Sequence, residues 1–172
     1  NVEAYGITLS REQEAVASGR IEAARLTQSC HVELLDYRKA VGYLPAFDKI
    51  SSVGMFEHVG LRNLPLYFQT AHSLLKPRGV FLNHGIARAH ASTGHGLSFL
   101  DRAVVPFLRN VLQLSRPHHS SFIDKYVFPN GELVTLSQAA RAAEWVGFEV
   151  RDVENLREHY ELTLRGWVQG LE

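Results

Sequence analysis

The sequence contains a single cysteine, Cys30. One thiol excludes an internal disulfide and a thiolate zinc site, and it fits a reducing compartment. Neither sign of charge is in excess: 18 basic and 18 acidic residues give a formal net charge of zero. Such a chain carries no electrostatic footprint for nucleic acid and no overall polybasic anchor for anionic lipid. No apolar run reaches membrane-spanning length, and no signal peptide is visible at Asn1. Internal repeats, low-complexity tracts, a G-x-S-x-G elbow and a Walker loop are all missing. So is a glycine-rich turn between a strand and a helix, the usual cradle for a nucleotide-like ligand in a doubly wound sheet.

What remains is ordinary for a soluble globular protein: 45% hydrophobic and 21% charged residues over 172 positions, enough for one domain with a real core. One stretch organises the rest, FDKISSVGMFEHVG at 47–60. Its first half reads as a short buried strand that turns at Gly54 and delivers Glu57 and His58 into a crevice. Glycine at a strand end permits a sharp turn and close approach of a ligand to backbone. The carboxylate and imidazole that follow can orient a ligand or move a proton. A plain strand-to-helix turn with both side chains in water is the competing reading, and periodicity alone does not separate the two.

In chain order, 2–7 is a β-rich run. Ser10 caps the helix that follows over 11–24, with Gln13 completing a capping box. HVELL at 31–35 is a second strand and 47–53 a third. LPLYFQTAHSLL at 64–75 has the spacing of an amphipathic helix, stopped by Lys76-Pro77-Arg78-Gly79. Residues 80–83 form a fourth strand leading to His84. Segment 87–121 changes character and reads as a helical excursion over the sheet, a lid or a docking surface. Residues 126–131 are a short extended piece. Thr135 or Ser137 caps a helix to about Trp145, ended by Gly147. Residues 148–153 read as a strand, and 159–167 as a helix or strand-end turn carrying Tyr160.

Strands alternating with helices predict βαβ units and a parallel sheet, with ligands outside the carboxyl ends of the strands. Those ends carry Thr8-Leu9, Asp36-Tyr37, Val53 to Glu57 and His84 to Ile86. Nine histidines invite a metal reading, but neither His90 and His95 nor the adjacent His118 and His119 have zinc-motif spacing. No metal site is expected.

Four blocks in fixed order carry a resemblance: FDKISSVGMFEHVG, LKPRGVFLNHGI, FIDKYVFPNGEL and ENLREHYELTLRGW, with GITLSREQ near the start. Together they closely resemble the cyclopropane-fatty-acyl-phospholipid synthase family, which is similar to the mycolic acid cyclopropane synthases. The family's S-adenosylmethionine-dependent methyltransferases have a seven-stranded Rossmann-like sheet. In that register the chain begins at the second strand, so the first strand and its glycine-rich loop are absent. It corresponds to the C-terminal two-thirds of a catalytic domain. Residues 1–172 are therefore expected to be a single partial methyltransferase domain, with 87–121, the least similar part, as a lid on the lipid side. The closing Leu171-Glu172 pair also fits a piece cut from a longer chain.

The resemblance implies roles for particular residues. Thr8, Leu9 and Gln13 would touch the cofactor ribose and its neighbourhood. Asp36, Tyr37 and Arg38 would flank the adenine, with Tyr37 able to stack on it. Val53 and Gly54 would line the cofactor by backbone. Glu57, His84 and Tyr160, with the backbone at Ile86, would hold a bicarbonate ion that acts as the base. A carboxylate beside an anion makes sense if the ion carries a proton that Glu57 accepts. The implied reaction is methylene transfer to the cis double bond of a membrane phospholipid acyl chain, forming a cyclopropane ring. The implied setting is cytoplasmic, with peripheral contact at the inner membrane face and no nucleic-acid partner. Two alternatives stay open. One is methylation of a small-molecule or non-cyclopropanated lipid acceptor by the same core. The other is an inactive folded module that forms a homo-oligomer through a sheet edge left bare.

Overall fold

A computed structural model describes residues 2–88 and 133–171 of the chain. The architecture is α/β. Strand β1 (Ala4–Thr8) leads into helix α1 (Arg11–Ala23), and β2 (Cys30–Leu34) then pairs parallel to β1. Strand β3 (Phe47–Val53), helix α2 (Leu64–Leu74) and strand β4 (Leu75–His84) form a second parallel unit. Helix α3 (Leu136–Trp145) packs on α2, and helix α4 (Arg157–Gln169) ends the described chain.

The strands form two separate pairs, β1 with β2 and β3 with β4. No ladder joins β1 to β3, although the rings of Tyr5 and Phe47 meet with centroids 5.6 Å apart.

Local chemistry explains most element ends. Ser10 Oγ accepts from the Gln13 backbone N–H at 3.2 Å and caps α1. The reciprocal half of the expected capping box is rewired. The Ser10 N–H donates to Thr8 Oγ1, and Thr8 Oγ1 in turn donates to Gln13 Oε1 at 2.6 Å. A second hydroxyl two residues upstream thus captures both groups. At α3 the box is complete, with Thr135 and Gln138 satisfying each other's backbone N–H.

Helix α2 supplies the core. Leu64, Tyr67, Phe68, Ala71 and Leu74 are buried at helical spacing. Of these, Leu64, Tyr67 and Phe68 pack with Phe56, Val59, Val134 and Ala143, and with the partly buried Phe81 and Phe148. The N–H of Arg88 donates to the carbonyl of Val134 at 3.0 Å, which brings the exit of β4 to the entrance of α3.

Two further expectations need correction, while the third segment below takes the helical one of its two readings. Lys76 to Gly79 does not separate helix from strand. It lies inside β4 as an irregularity: Phe47 pairs with Leu75, but Lys49 already pairs with Val80. Arg78 takes a positive φ of 68° to make that excursion. Residues 148–153 form no strand, because no described segment offers them a ladder; Phe148 instead packs its ring on Phe81, 5.6 Å away. The 159–167 segment is helix, inside α4. The proposed lid at 87–121 lies outside the described residues from position 89 onward, as do 126–131 and the four loop histidines. No described helix is long and apolar enough to cross a membrane.

Leu64 is 2% exposed and sits at the centre of this core. Leu64→Ala should destabilise the fold by about 2–5 kcal/mol, since both transfer energy and packing are lost. A shift of the urea midpoint at constant slope checks it.

Candidate functional site

The carboxyl ends of the four strands gather the polar residues expected there. Val53 and His84 are the last register pair of β3 and β4, and the Gly54 N–H donates to the His84 carbonyl at 3.1 Å. Gly54 then turns the chain with φ of 68°, a conformation that L side chains rarely adopt. A short 3-10 turn over Phe56–His58 follows.

This turn decides the fate of Glu57. Its neighbour Phe56 is buried in the core, which carries Glu57 inward to 4% exposure and leaves His58 at the surface. Glu57 Oε1 accepts the Ile86 backbone N–H at 2.8 Å. Glu57 Oε2 is buried with no hydrogen-bond partner among the described residues. A buried polar oxygen left unpaired is costly and marks a place where a donor group fits.

Gly85 makes the Glu57 contact possible. A Cβ at this position would lie 2.8 Å from Phe56 Cβ, too close for both to stay in place. Only glycine lets the exit of β4 pass the turn closely enough for Ile86 to reach the carboxyl.

Around the other strand ends, the residues are paired among themselves. Asp36 caps a 3-10 turn over Tyr37–Lys39 by accepting the Arg38 N–H at 2.9 Å. Both its carboxylate oxygens also accept from the Arg38 guanidinium. Those hydrogen bonds, first from the side chain and then from the backbone of Arg38, bring the Asp36 pKa down to about 2. Tyr37 is half-buried, its ring edge-on to Tyr67 at 5.8 Å, and burial raises its hydroxyl pKa. Thr8 is half-buried and bonded to Gln13, which is exposed, while Leu9 projects into solvent. Val53 is exposed as well.

Of the three residues expected to act together, the structure brings Glu57 and His84 to neighbouring strand ends, with His84 exposed. Tyr160 is elsewhere in the pattern of contacts. It is 48% exposed on α4, where every residue is exposed, and its ring partner is Trp167 at 6.1 Å. No hydrogen bond joins Tyr160 to Glu57 or His84 among the described residues.

The sequence reading missed Gly85, Tyr67 and Asn83. Tyr67 lies on the apolar face of α2 yet carries a hydroxyl, which must find a partner when buried. Asn83 is a polar letter closing an apolar strand run. Both signals were present in the sequence.

The family described as mycolic acid cyclopropane synthetase matches residues 1–172. The chain belongs to that family. A probable fatty acid methyltransferase of Pseudomonas putida is 40% identical over 98% of this chain, which spans 38% of that protein. The cyclopropane-fatty-acyl-phospholipid synthase of Escherichia coli K12 is 35% identical over 98% of this chain, which spans 36% of it. Among solved structures, mycolic acid cyclopropane synthase CmaA1 complexed with SAH and CTAB superposes with a TM-score of 0.74 at 29% identity. That match covers 96% of this chain and 53% of CmaA1. The chain therefore spans a little over a third of these two curated relatives. In this cyclopropane synthetase family member, the methyltransferase fold places Glu57 and the Asp36–Arg38 pair at the ends of parallel strands.

Two outcomes follow from this geometry. Gly85→Ala should destabilise the protein by about 1–3 kcal/mol through overpacking against Phe56, measured by urea unfolding. Asp36 is held below its unfolded value of about 3.9, so its contribution is fully present above that pH and is lost as pH falls toward 2. Asp36→Asn should thus be less stable than the native chain at pH 7, and the gap should close between about pH 4 and pH 2 in thermal melts.

Proposed function

We propose that the protein carrying this chain transfers a methylene group from S-adenosylmethionine to the cis double bond of an unsaturated phospholipid acyl chain. The observation that carries this reading is Glu57: a carboxyl buried at the strand ends, tied at one oxygen by Ile86 and unpaired at the other. It stands within a family match over the whole chain, beside a relative solved with SAH.

The cofactor side fits in kind. Tyr37 offers a half-buried aromatic edge and face, Gly54 a backbone free of a side chain, and Asp36 a carboxylate kept charged by Arg38. Thr8, Leu9, Gln13 and Val53 complete the set assigned to the cofactor by resemblance. When bound, S-adenosylmethionine supplies an electrophilic methyl group for the alkene's π electrons, after which one proton must leave the transferred carbon for a ring to close.

The chain's own part is to manage that proton. Hydrogencarbonate is the proposed base. Glu57 Oε2 can accept the ion's own O–H, which orients it and strengthens its remaining oxygens as acceptors. The Ile86 N–H is already committed to Glu57 Oε1, so it fixes the carboxyl and leaves donation to the ion to other groups. His84 is proposed to donate from the end of β4, and Tyr160 from α4.

Residues 1–172 alone are proposed to be inactive. Thr8 with Gln13, and Asp36 with Arg38, are satisfied by each other, so binding must repay the contacts it breaks. A second reading is methylation of a lipid acceptor without ring closure. It is favoured by the 40% identical relative, whose name is probable fatty acid methyltransferase. Peripheral contact of the full protein with a phospholipid surface belongs to either reading.

The test uses the full-length protein, methyl-labelled S-adenosylmethionine and vesicles of an unsaturated phospholipid. Label should enter the lipid, and upfield ring protons in the product's NMR spectrum should identify the cyclopropane; olefinic or branched-methyl signals would select the second reading instead. Glu57→Gln should lower turnover by about 10²–10⁴-fold, the range for a positioned proton-handling group. Unlabelled lipid with the native protein would refute both readings.

A further inference from the structure

Tyr67 places a hydroxyl in an aromatic core. Its ring is buried among Tyr37, Phe56, Phe68 and Phe81, with centroids 5.1–6.1 Å away. Phenylalanine would fill the same space without a polar atom to satisfy. Here the hydroxyl donates to Asn83 Oδ1 at 2.7 Å, a bond spanning α2 and β4.

Asn83 has a particular place in the sheet. It is the register partner of Ser52, and each is followed by a residue of the candidate site: His84 after Asn83, Val53 after Ser52. Successive strand side chains point to opposite faces, so Ser52 and Asn83 turn toward α2 while Val53 and His84 turn away. Exposure follows the same alternation: Ser52 and Asn83 are half-buried, Val53 and His84 exposed. Ser52 Oγ is buried close to the Tyr67 hydroxyl without closing a hydrogen bond of its own. One phenolic oxygen therefore meets the last inward pair of both strands.

The same side chain touches the two halves of the site. Its ring supports the edge of Tyr37, and it packs against Phe56, the residue before Glu57. Burial pushes the Tyr67 hydroxyl up to about 12, so it remains a proton donor through the working range of an enzyme.

We propose that Tyr67 and Asn83 are a positioning pair, whose hydrogen bond ties the end of β4 to α2 and thereby sets His84 against the Phe56–Glu57 turn that the same ring supports. This role rests on the methyl-transfer reading above. Neither residue touches the reacting atoms. They act through the residue one step further along β4 and through the packed Phe56 ring, where a small misplacement of reacting groups has a large kinetic effect.

The experiment compares Tyr67→Phe, Asn83→Leu and the double variant in the full-length protein, with label transfer to unsaturated phospholipid vesicles as the assay. Each single variant strands a polar group, the buried Tyr67 hydroxyl or the half-buried Asn83 amide, and should lower the melting temperature. The double variant removes both groups and should recover most of that loss. Turnover should fall about tenfold in all three, with the KM for lipid within about twofold of native and the limbs of the pH profile unmoved. A double variant that recovers both melting temperature and turnover would show a purely structural tie and overturn the role. If the double variant does not fold, Tyr67→Phe decides alone, because it keeps the ring: native turnover overturns the role, and a tenfold loss at unchanged lipid KM and pH limbs supports it. A native protein without transfer activity would remove this role together with the function. An active native protein with an active double variant removes this role only.

Discussion

A carboxyl group taken out of water needs partners, and the described fold is arranged around giving Glu57 one. Transfer of such a group into a protein interior without hydrogen bonds costs several kcal/mol, about the size of a small domain's whole stability. The Ile86 N–H answers for one oxygen. For that contact to exist, β3 and β4 must hold the register that ends at Val53 and His84, Gly85 must lack a side chain, and Phe56 must stay seated in the core. Phe56 in turn depends on the apolar face of α2. The hydrophobic core, the register and the single glycine thus converge on one hydrogen bond, and the second oxygen has no partner among the described residues.

The two sides of the site are built differently. Around Glu57 the constraints are long-range: the bonding partners are 29 residues apart. Around Asp36 they are local, since Arg38 is two residues away and supplies its donors among the described residues. A local pair forms with little help from the rest of the fold and can be reopened without disturbing it. The separation of β1–β2 from β3–β4 follows the same division: each flank of the sheet is hydrogen-bonded within itself, and ring contacts such as Tyr5 with Phe47 join them. Helix α4 is the least integrated element. Its apolar residues, Tyr160 and Trp167 among them, are exposed, so its position relative to Glu57 rests on few described contacts.

Much of this was legible in the letters. Strand β3 has the bounds that its apolar and β-branched residues suggest, and α2 ends one residue short of its periodic pattern. Ser10 and Thr135 cap the helices they precede because a hydroxyl before a helix has unpaired N–H groups within reach. The misses have a common cause. Gln13 has the right spacing for a capping box, but spacing does not reveal that Thr8 would compete for its side chain. Lys76 to Gly79 carries the signals of a stop, but pairing with β3 holds both ends of the excursion in one strand. Residues 148–153 have strand composition, yet a strand exists only where a neighbour supplies its ladder.

The sequence by itself determined the alternation of strands and helices, the turn at Gly54 and the family blocks that include Glu57, His84 and Tyr160. The alternation and the turn are properties of residue type and short spacing, fixed by backbone sterics and periodicity, whereas the blocks are legible only as a resemblance to a family. Tertiary structure alone decided that Glu57 is buried while its neighbour His58 is exposed, that Ile86 donates to it, and that Tyr67 reaches Asn83 across the sheet. Those outcomes depend on which faces meet, because a hydrogen bond between distant residues is set by packing that no local pattern encodes.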